Sequence, residues 1–330
     1  MIYVKPDFFD DFKCICGECT DNCCIGWEID VDDSTYHNYC NMDTPFSQKI
    51  KDNIMTSPDG SRCFKLSEGE RCPFLNKDNL CDIIINCGED AICDICREHP
   101  RFYEWFPGVT ECGLGLSCEA ACKLLLEGEN MFKLTEYNDG EKIALETKEE
   151  VIESDTYILT SALRLSFFEI LSNKGLSLED KIVKIIEKTQ AFTGENIKIK
   201  SDVRLVEAYK ETEPIDDCWV KFLNDLKSAL QGITNTELLW NDKECNELYS
   251  RILAYIIYRH FIKSVFDNSF AERVVFCIES LRFIMLTDAK KLKEKGTLTI
   301  EDRVNSIKNW SKQIEYSDEN TELLIYGDIL

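Results

Sequence analysis

A chain of 330 residues suffices for one large domain or two ordinary ones, and it can bury a sizeable core without disulfide staples. With 44% hydrophobic and 30% charged residues it is globular rather than disordered. Asp and Glu number 61 against 38 Lys and Arg, and the net charge of −23 argues against nucleic acid and against an anionic membrane surface. A neutral or basic partner suits it.

The opening residues do not read as a secretion signal, because Lys5, Pro6, Asp7, Asp10 and Asp11 interrupt any apolar run. No stretch approaches the roughly 18 apolar residues of a membrane span. Leu330 ends the sequence without a lipidation motif. The expectation is a soluble cytoplasmic protein. Fifteen of the 18 cysteines fall within residues 1–122. In a secreted chain that density means disulfides, whereas in a reducing cytosol it means metal.

Residues 1–125 are expected to form an irregular cysteine-cluster domain with few short strands. Turn signals such as Ser57-Pro58-Asp59-Gly60 punctuate it. It carries 11 basic and 23 acidic residues, a denser acidity than the 27 and 38 of the remaining 205. Two groups of cysteines stand out. The first is Cys14-Ile-Cys16-Gly-Glu-Cys19-Thr-Asp-Asn-Cys23-Cys24. The second is Cys72-x8-Cys81 followed by Cys93-Asp-Ile-Cys96-Arg-Glu-His-Pro100. Close spacing lets one loop present two thiolates to one ion, and two such loops close a tetrahedral set. An iron–sulfur cluster asks for the same arrangement, usually with four thiolates and with backbone amides aimed at the sulfurs. The plain alternative is a set of buried thiols that only pack. His99, three residues after Cys96, is a further candidate ligand or a simple surface or core histidine. His37 and His260 have no metal context.

Gly113-Leu-Gly115 reads as strand or loop rather than a dinucleotide-binding turn. Neither Cys19-x3-Cys23 nor Cys118-x3-Cys122 completes a Cys-x3-Cys-x2-Cys motif, since Gly26 and Leu125 stand where the third cysteine is needed. Residues 126–155 read as a polar connecting segment, with Ile143 and Leu145 alternating too briefly to define a strand. Residues 156–330 read as a helical domain, so the fold class is mostly α. Trp219, Phe222, Leu223, Leu226 and Leu230 share one helical face. Ser177 and Thr299 open helices as N-caps, with Asp180 and Asp302 at the third position. Gly175 and Gly296 read as helix stops. Residues 246–266 and 270–294 are apolar on more than one face and predict central helices. Cys218, Cys245 and Cys277 are expected in helix cores.

The motifs Phe12-Lys13-Cys14, Cys19, Cys23-Cys24-Ile-Gly-Trp27, Cys72-Pro-Phe-Leu-Asn76, Cys81-Asp-Ile83, Cys93-Asp-Ile-Cys96-Arg-Glu-His-Pro-Arg101 and Leu116-Ser117-Cys118 resemble those of the flagellin lysine-N-methylase family. Tyr255, Tyr258-Arg259 and Phe261 to Asp267 resemble a helical motif of the same family. The broader YkgJ-type cysteine-cluster proteins share only the Cys72, Cys81 and Cys96-Arg97 portion. The resemblance implies transfer of methyl groups from S-adenosylmethionine to lysine side chains of flagellin in the cytoplasm. It also implies an iron–sulfur cluster, expected as 4Fe-4S with zinc as the alternative. Carried over by position, the metal ligands are Cys14, Cys19, Cys23, Cys24, Cys72, Cys81, Cys93 and Cys96, and the family pattern also includes Cys118. Cys72, Cys81, Cys93 and Cys96 combine spacing with the family match. Cys16, Cys40, Cys63, Cys87, Cys112 and Cys122 depart from that pattern and leave a second cluster or ligand exchange open. For the cofactor, Tyr258 is a candidate to orient the lysine amine and Arg259 to bind the cofactor carboxylate. The alternative for both is a core aromatic and a salt-bridged residue. Two other functions fit the same cysteines: a non-enzymatic metal-binding or electron-transfer module, and an iron–sulfur oxidoreductase.

Overall fold

The computed structural model describes residues 1–128, 132–140, 148–233 and 242–327. Ile143 and Leu145 lie outside the described residues. The strands are β1 (Ile2–Pro6), β2 (Ile54–Thr56), β3 (Arg62–Phe64), β4 (Arg101–Phe106), β5 (Val109–Leu114) and β6 (Leu134–Asn138). The helices begin with α1 (Asp33–Asn41), α2 (Pro45–Asp52), α3 (Asp82–Cys87), α4 (Asp94–Glu98) and α5 (Glu119–Glu127). They continue with α6 (Lys148–Ser172), α7 (Leu178–Thr193), α8 (Asp202–Lys210), α9 (Asp217–Ala229) and α10 (Lys243–His260). The last are α11 (Ser264–Asp267), α12 (Phe270–Lys295), α13 (Ile300–Ile314) and α14 (Asp318–Tyr326). Among the described residues the structure is mostly helical, and the strands lie in the N-terminal 140 residues.

Two compact units form, one from residues 12–102 and 118–120, the other from residues 1–11, 103–117 and 121–330. The smaller unit holds nearly all the clustered cysteines. Its helices are short and locally capped. Asp32 accepts the Thr35 amide at 2.8 Å to start α1, and Thr44 accepts that of Ser47 ahead of α2, which has Pro45 in its first turn. The Ser57–Gly60 turn joins β2 to β3, with Gly60 at φ +93°, where a glycine meets no Cβ penalty. A small core closes on Tyr39, Ile50, Phe64, Phe74, Ile83 and Cys93, and the rings of Phe64 and Phe74 meet edge to face at 4.9 Å.

In the larger unit, β1 is central to a sheet of order β4-β5-β1-β6, parallel to β5 and antiparallel to β6. The strand at the start of the chain thus belongs with the helical unit. Gly113 lies within β5. Helices α10 and α12 are buried along most of their length, as their all-round apolarity predicts. Around α12 pack α7, α8, α13 and α14. Ser177 with Asp180 and Thr299 with Asp302 form reciprocal capping boxes. Gly296 ends α12 in the left-handed conformation, whereas Gly175 sits in the turn after α6 without one. Cys245 and Cys277 are buried, but Cys218 is exposed: it lies in the first turn of α9, off the face that carries Trp219, Leu223 and Leu226.

Charge is also buried in this unit. Arg164 of α6 and Glu111 of β5, each 2% exposed at the side chain, form a bidentate pair at 2.6 and 2.7 Å. Tyr157 donates to Glu111 Oε1 at 2.7 Å, and Arg164 also reaches the Tyr258 carbonyl at 3.2 Å. Breaking such a pair from one side leaves an uncompensated buried charge, which costs about 3–5 kcal/mol. Glu111→Gln should therefore lower the unfolding free energy by about that amount, read from the urea midpoint and slope. An unchanged midpoint would contradict a buried Arg164 that depends on Glu111 for compensation.

Candidate metal centre

Backbone pairing within the smaller unit brings distant cysteines alongside one another. The segment after Cys23 runs against residues 70–72: the Gly26 amide donates to the Glu70 carbonyl at 3.0 Å and the Cys72 amide to that of Cys24 at 2.8 Å. A second loop folds Cys81 back beside Leu75, and the Asp82 amide donates to Phe74 at 2.7 Å. Arg71 clasps this loop through the Asn76 carbonyl at 2.6 Å and Asn79 Oδ1 at 3.0 Å. The Cys93-x-x-Cys96 pair spans the start of α4, where the Cys96 amide donates to the Cys93 carbonyl at 3.0 Å. Arg97 ties the approach to α4 by donating to the Asp90 and Ile92 carbonyls, both at 3.1 Å.

Six of the expected ligands lie in one another's electrostatic field. The Cys24 thiol is raised well above its ordinary range, first by its hydrogen bond with Cys23, then by burial and by the fields of Cys72 and Cys96. Burial raises Cys96 above its ordinary range, and Cys93, Cys72, Cys23 and Cys81 add to the shift. Burial pushes Cys93 up to about 12. Cys72 is also raised by burial, although the backbone amides of Phe74 and Leu75 act in the opposite sense and favour its thiolate. Amides aimed at a sulfur are what a thiolate ligand of an iron–sulfur cluster needs. Among the described residues, no three His, Cys, Asp or Glu side chains already stand at the spacing of a closed metal site. The donor set is nonetheless the right chemistry: a cation reverses the mutual repulsion that holds these thiols protonated.

The remaining expected residues fall in different places. Cys14 and Cys16 neighbour one another, with the Cys16 amide 3.3 Å from Cys14 Sγ, and the Cys16 thiol is raised by burial and then by Cys14, with smaller contributions from Glu89 and Cys23. Cys19 donates to the Asp21 carbonyl at 3.2 Å and lies 3.8 Å from Glu119 Oε2, which also accepts from the Thr20 amide and hydroxyl. His99 is the residue that ends α4. Of the departures from the family pattern, Cys87 feels the field of Cys81, while Cys40 is exposed on α1 and Cys63 is buried in β3. Cys112 and Cys122 are buried in the larger unit. There Tyr258 is 1% exposed and its hydroxyl meets the Val4 and Cys112 carbonyls at 3.0 and 2.8 Å. Arg259 pairs with Glu315 at 3.4 Å, donates to the Tyr255 hydroxyl at 3.0 Å and covers the Tyr316 ring.

Two residues around the cysteines escape a reading of spacing. Asp32 bridges α1 and α4, accepting the Thr35 amide at 2.8 Å and the Asp94 amide at 3.0 Å. Burial opposes its ionisation, but these hydrogen bonds prevail and hold the carboxyl well below its usual range. Tyr39 is fully buried, with its hydroxyl at Ala91 and Cys93. Asp32 carries a local signal, the Asp-x-x-Thr cap, whereas Tyr39 acts across 54 residues and carries none. Beside them a cleft of about 480 Å³ is lined by Asp30, Asp32, Asp33, Arg62 and Ile95. Asp33 pairs there with Arg62 at 2.6 Å.

The thiols predict a pH dependence. Cys93 has an ordinary value of 9.0 and about 12 in the folded, metal-free chain. The folded chain then binds the proton more tightly than the unfolded one, so this contribution is complete below about pH 8.5 and declines as pH rises toward 12. Cys72 and Cys96 shift in the same direction. Metal-stripped protein should lose urea resistance between about pH 8.5 and 10.5, and metal-loaded protein, whose ligands are already thiolates, should not. Equal losses in both forms would contradict protonated, converging thiols.

No family model matches the chain, and no solved structure matches it. Curated proteins do. Over 137 residues, 40% of this chain, it is 27% identical to a lysine-N-methylase of Salmonella choleraesuis and to one of Salmonella typhimurium. The same extent and identity relate it to the flagellar biosynthetic protein FliU of Salmonella muenchen. The match spans 34% of each lysine-N-methylase and 81% of FliU. No described helix is long and apolar enough to cross a membrane. Over this region the chain is therefore similar to curated lysine-N-methylases and to a flagellar biosynthetic protein, in agreement with the resemblance carried by the cysteine motifs.

Proposed function

We propose that the chain is an S-adenosylmethionine-dependent methyltransferase of flagellin lysines, and that cysteines of its smaller unit hold an iron–sulfur cluster, with zinc as the alternative metal. The convergence of Cys23, Cys24, Cys72, Cys81, Cys93 and Cys96 carries the metal part. The curated relatives support the methylation part, and a flagellar relative supports the substrate. Cys72, Cys81, Cys93 and Cys96 are the preferred ligands, with Cys14, Cys19, Cys23 and Cys24 as the further set.

S-adenosylmethionine supplies an electrophilic methyl group. The acceptor nitrogen must be neutral to attack it, whereas a free lysine has a pKa near 10.4. A carboxylate favours the charged ammonium, and burial favours the neutral amine. The cleft with Asp30, Asp32 and Asp33 therefore suits recognition of a cationic segment rather than deprotonation of the reacting lysine. The overall charge of −23 acts in the same sense, steering a basic partner toward the chain. Tyr258 and Arg259 would serve the cofactor only by giving up the core contacts that now hold them. The same thiols suit a non-enzymatic electron-transfer module, so methyl transfer is the discriminating property.

The test is labelled methyl transfer from S-adenosylmethionine to unexported flagellin of the same organism, using chain purified without oxygen. Cys81→Ser and Cys96→Ser should each lose iron and abolish transfer. Cys218→Ala, exposed and remote in sequence from the cluster motifs, should keep both. Metal-loaded protein that transfers no methyl group would defeat the methylase reading and favour the electron-transfer one.

A further inference from the structure

Helix α1 presents two side chains to the Cys93–Cys96 segment. Asp32 Oδ2 accepts the amide of Asp94, the residue after Cys93, at 3.0 Å. Tyr39 stands two turns along the same helix and is fully buried. Its hydroxyl donates to the Ala91 carbonyl at 2.6 Å and lies 3.7 Å from Cys93 Sγ. A phenol has one proton and here has two acceptors in reach. While Cys93 is a thiol, the phenol proton serves Ala91, and the weak S–H can complete the chain by pointing at the phenol oxygen. A metal-bound thiolate only accepts. A hydrogen bond to an ionised acceptor is roughly twice as strong as one to a neutral carbonyl, so the hydroxyl then turns to the sulfur.

We propose that Tyr39 is a positioning residue of the thiolate centre, its buried hydroxyl donating to the metal-bound sulfur of Cys93. The proposal rests on reading Cys93 as a metal ligand. Partners of this kind orient the ligand and draw electron density from it, and their loss typically lowers metal affinity by about 10–100-fold. Asp32 acts differently, on the backbone alone, by anchoring the first amide of α4. The Tyr39 ring packs against Phe64 at 6.5 Å, so Tyr39→Phe keeps the ring and removes only the hydroxyl.

The experiment uses the full chain, stripped of metal without oxygen and titrated with Co(II) alone against a competing chelator. Tyr39→Phe should bind Co(II) about 10–100-fold more weakly and move the sulfur-to-cobalt charge-transfer band to lower energy. Asp32→Ala loosens the same segment without touching the sulfur, so it should leave that band in place whatever it does to stability. If the wild type shows a thiolate band that Tyr39→Phe does not move, Tyr39 merely supports the Ala91 carbonyl and the proposal is overturned. If the wild type takes up Co(II) with no thiolate band, Cys93 is not a ligand and the metal-centre reading falls together with the proposal.

Discussion

Thiols crowded together in a protein interior cannot all ionise, and that constraint governs the smaller unit. Cys23, Cys24, Cys72, Cys81, Cys93 and Cys96 come from three separate segments and sit within one another's field. Burial and neighbouring thiols raise Cys24, Cys72, Cys93 and Cys96 above the ordinary thiol range. The unit that gathers them is small, with short helices and a modest aromatic core around Phe64 and Phe74. Such a unit has limited apolar area with which to stabilise itself, and a thiolate-bound metal adds binding energy that becomes folding energy. The locally capped helices and the Arg71 clasp hold the loops that carry these cysteines.

The larger unit is built on different physics. Helices α10 and α12 are buried on all sides, and several charged side chains enter this core as linked groups. Arg164 with Glu111 is one such group. A second joins Tyr249, Arg303 and Ser306 to Asp288, with Arg303 also 3.1 Å from Cys245 Sγ. A third surrounds Glu315 with Arg259, His260 and Ser311, and burial keeps His260 neutral at ordinary pH, its pKa lowered to about 4. Burying such pairs costs desolvation, which their mutual attraction and hydrogen bonds offset.

Elements governed by short-range rules were legible in the sequence. The capping boxes at Ser177 and Thr299, the Ser57–Gly60 turn, the Trp219–Leu226 face and the burial of α10 and α12 all follow from spacing and local chemistry. Long-range choices were not. The pairing of β1 with both β5 and β6 unites residues more than 100 apart, so residues 1–11 join the helical unit although the cysteine density begins immediately after them. Tyr39 meets Cys93 for the same reason, through a contact that no local pattern encodes. The cysteine spacings carried the chemistry of the candidate centre, because paired thiols serve few purposes other than metal or redox work. They did not carry the ligand set, which depends on how three loops close.

The proposed binding of a metal by converging cysteines of residues 12–102 is tested most directly at the metal itself. X-ray absorption at the iron and zinc edges of the full chain, purified without oxygen, addresses it directly. Metal held by these cysteines would show a first shell dominated by sulfur at about 2.3 Å, with an iron–iron scattering path if it is a cluster. A shell of nitrogen and oxygen alone, or protein that retains neither metal, would contradict it.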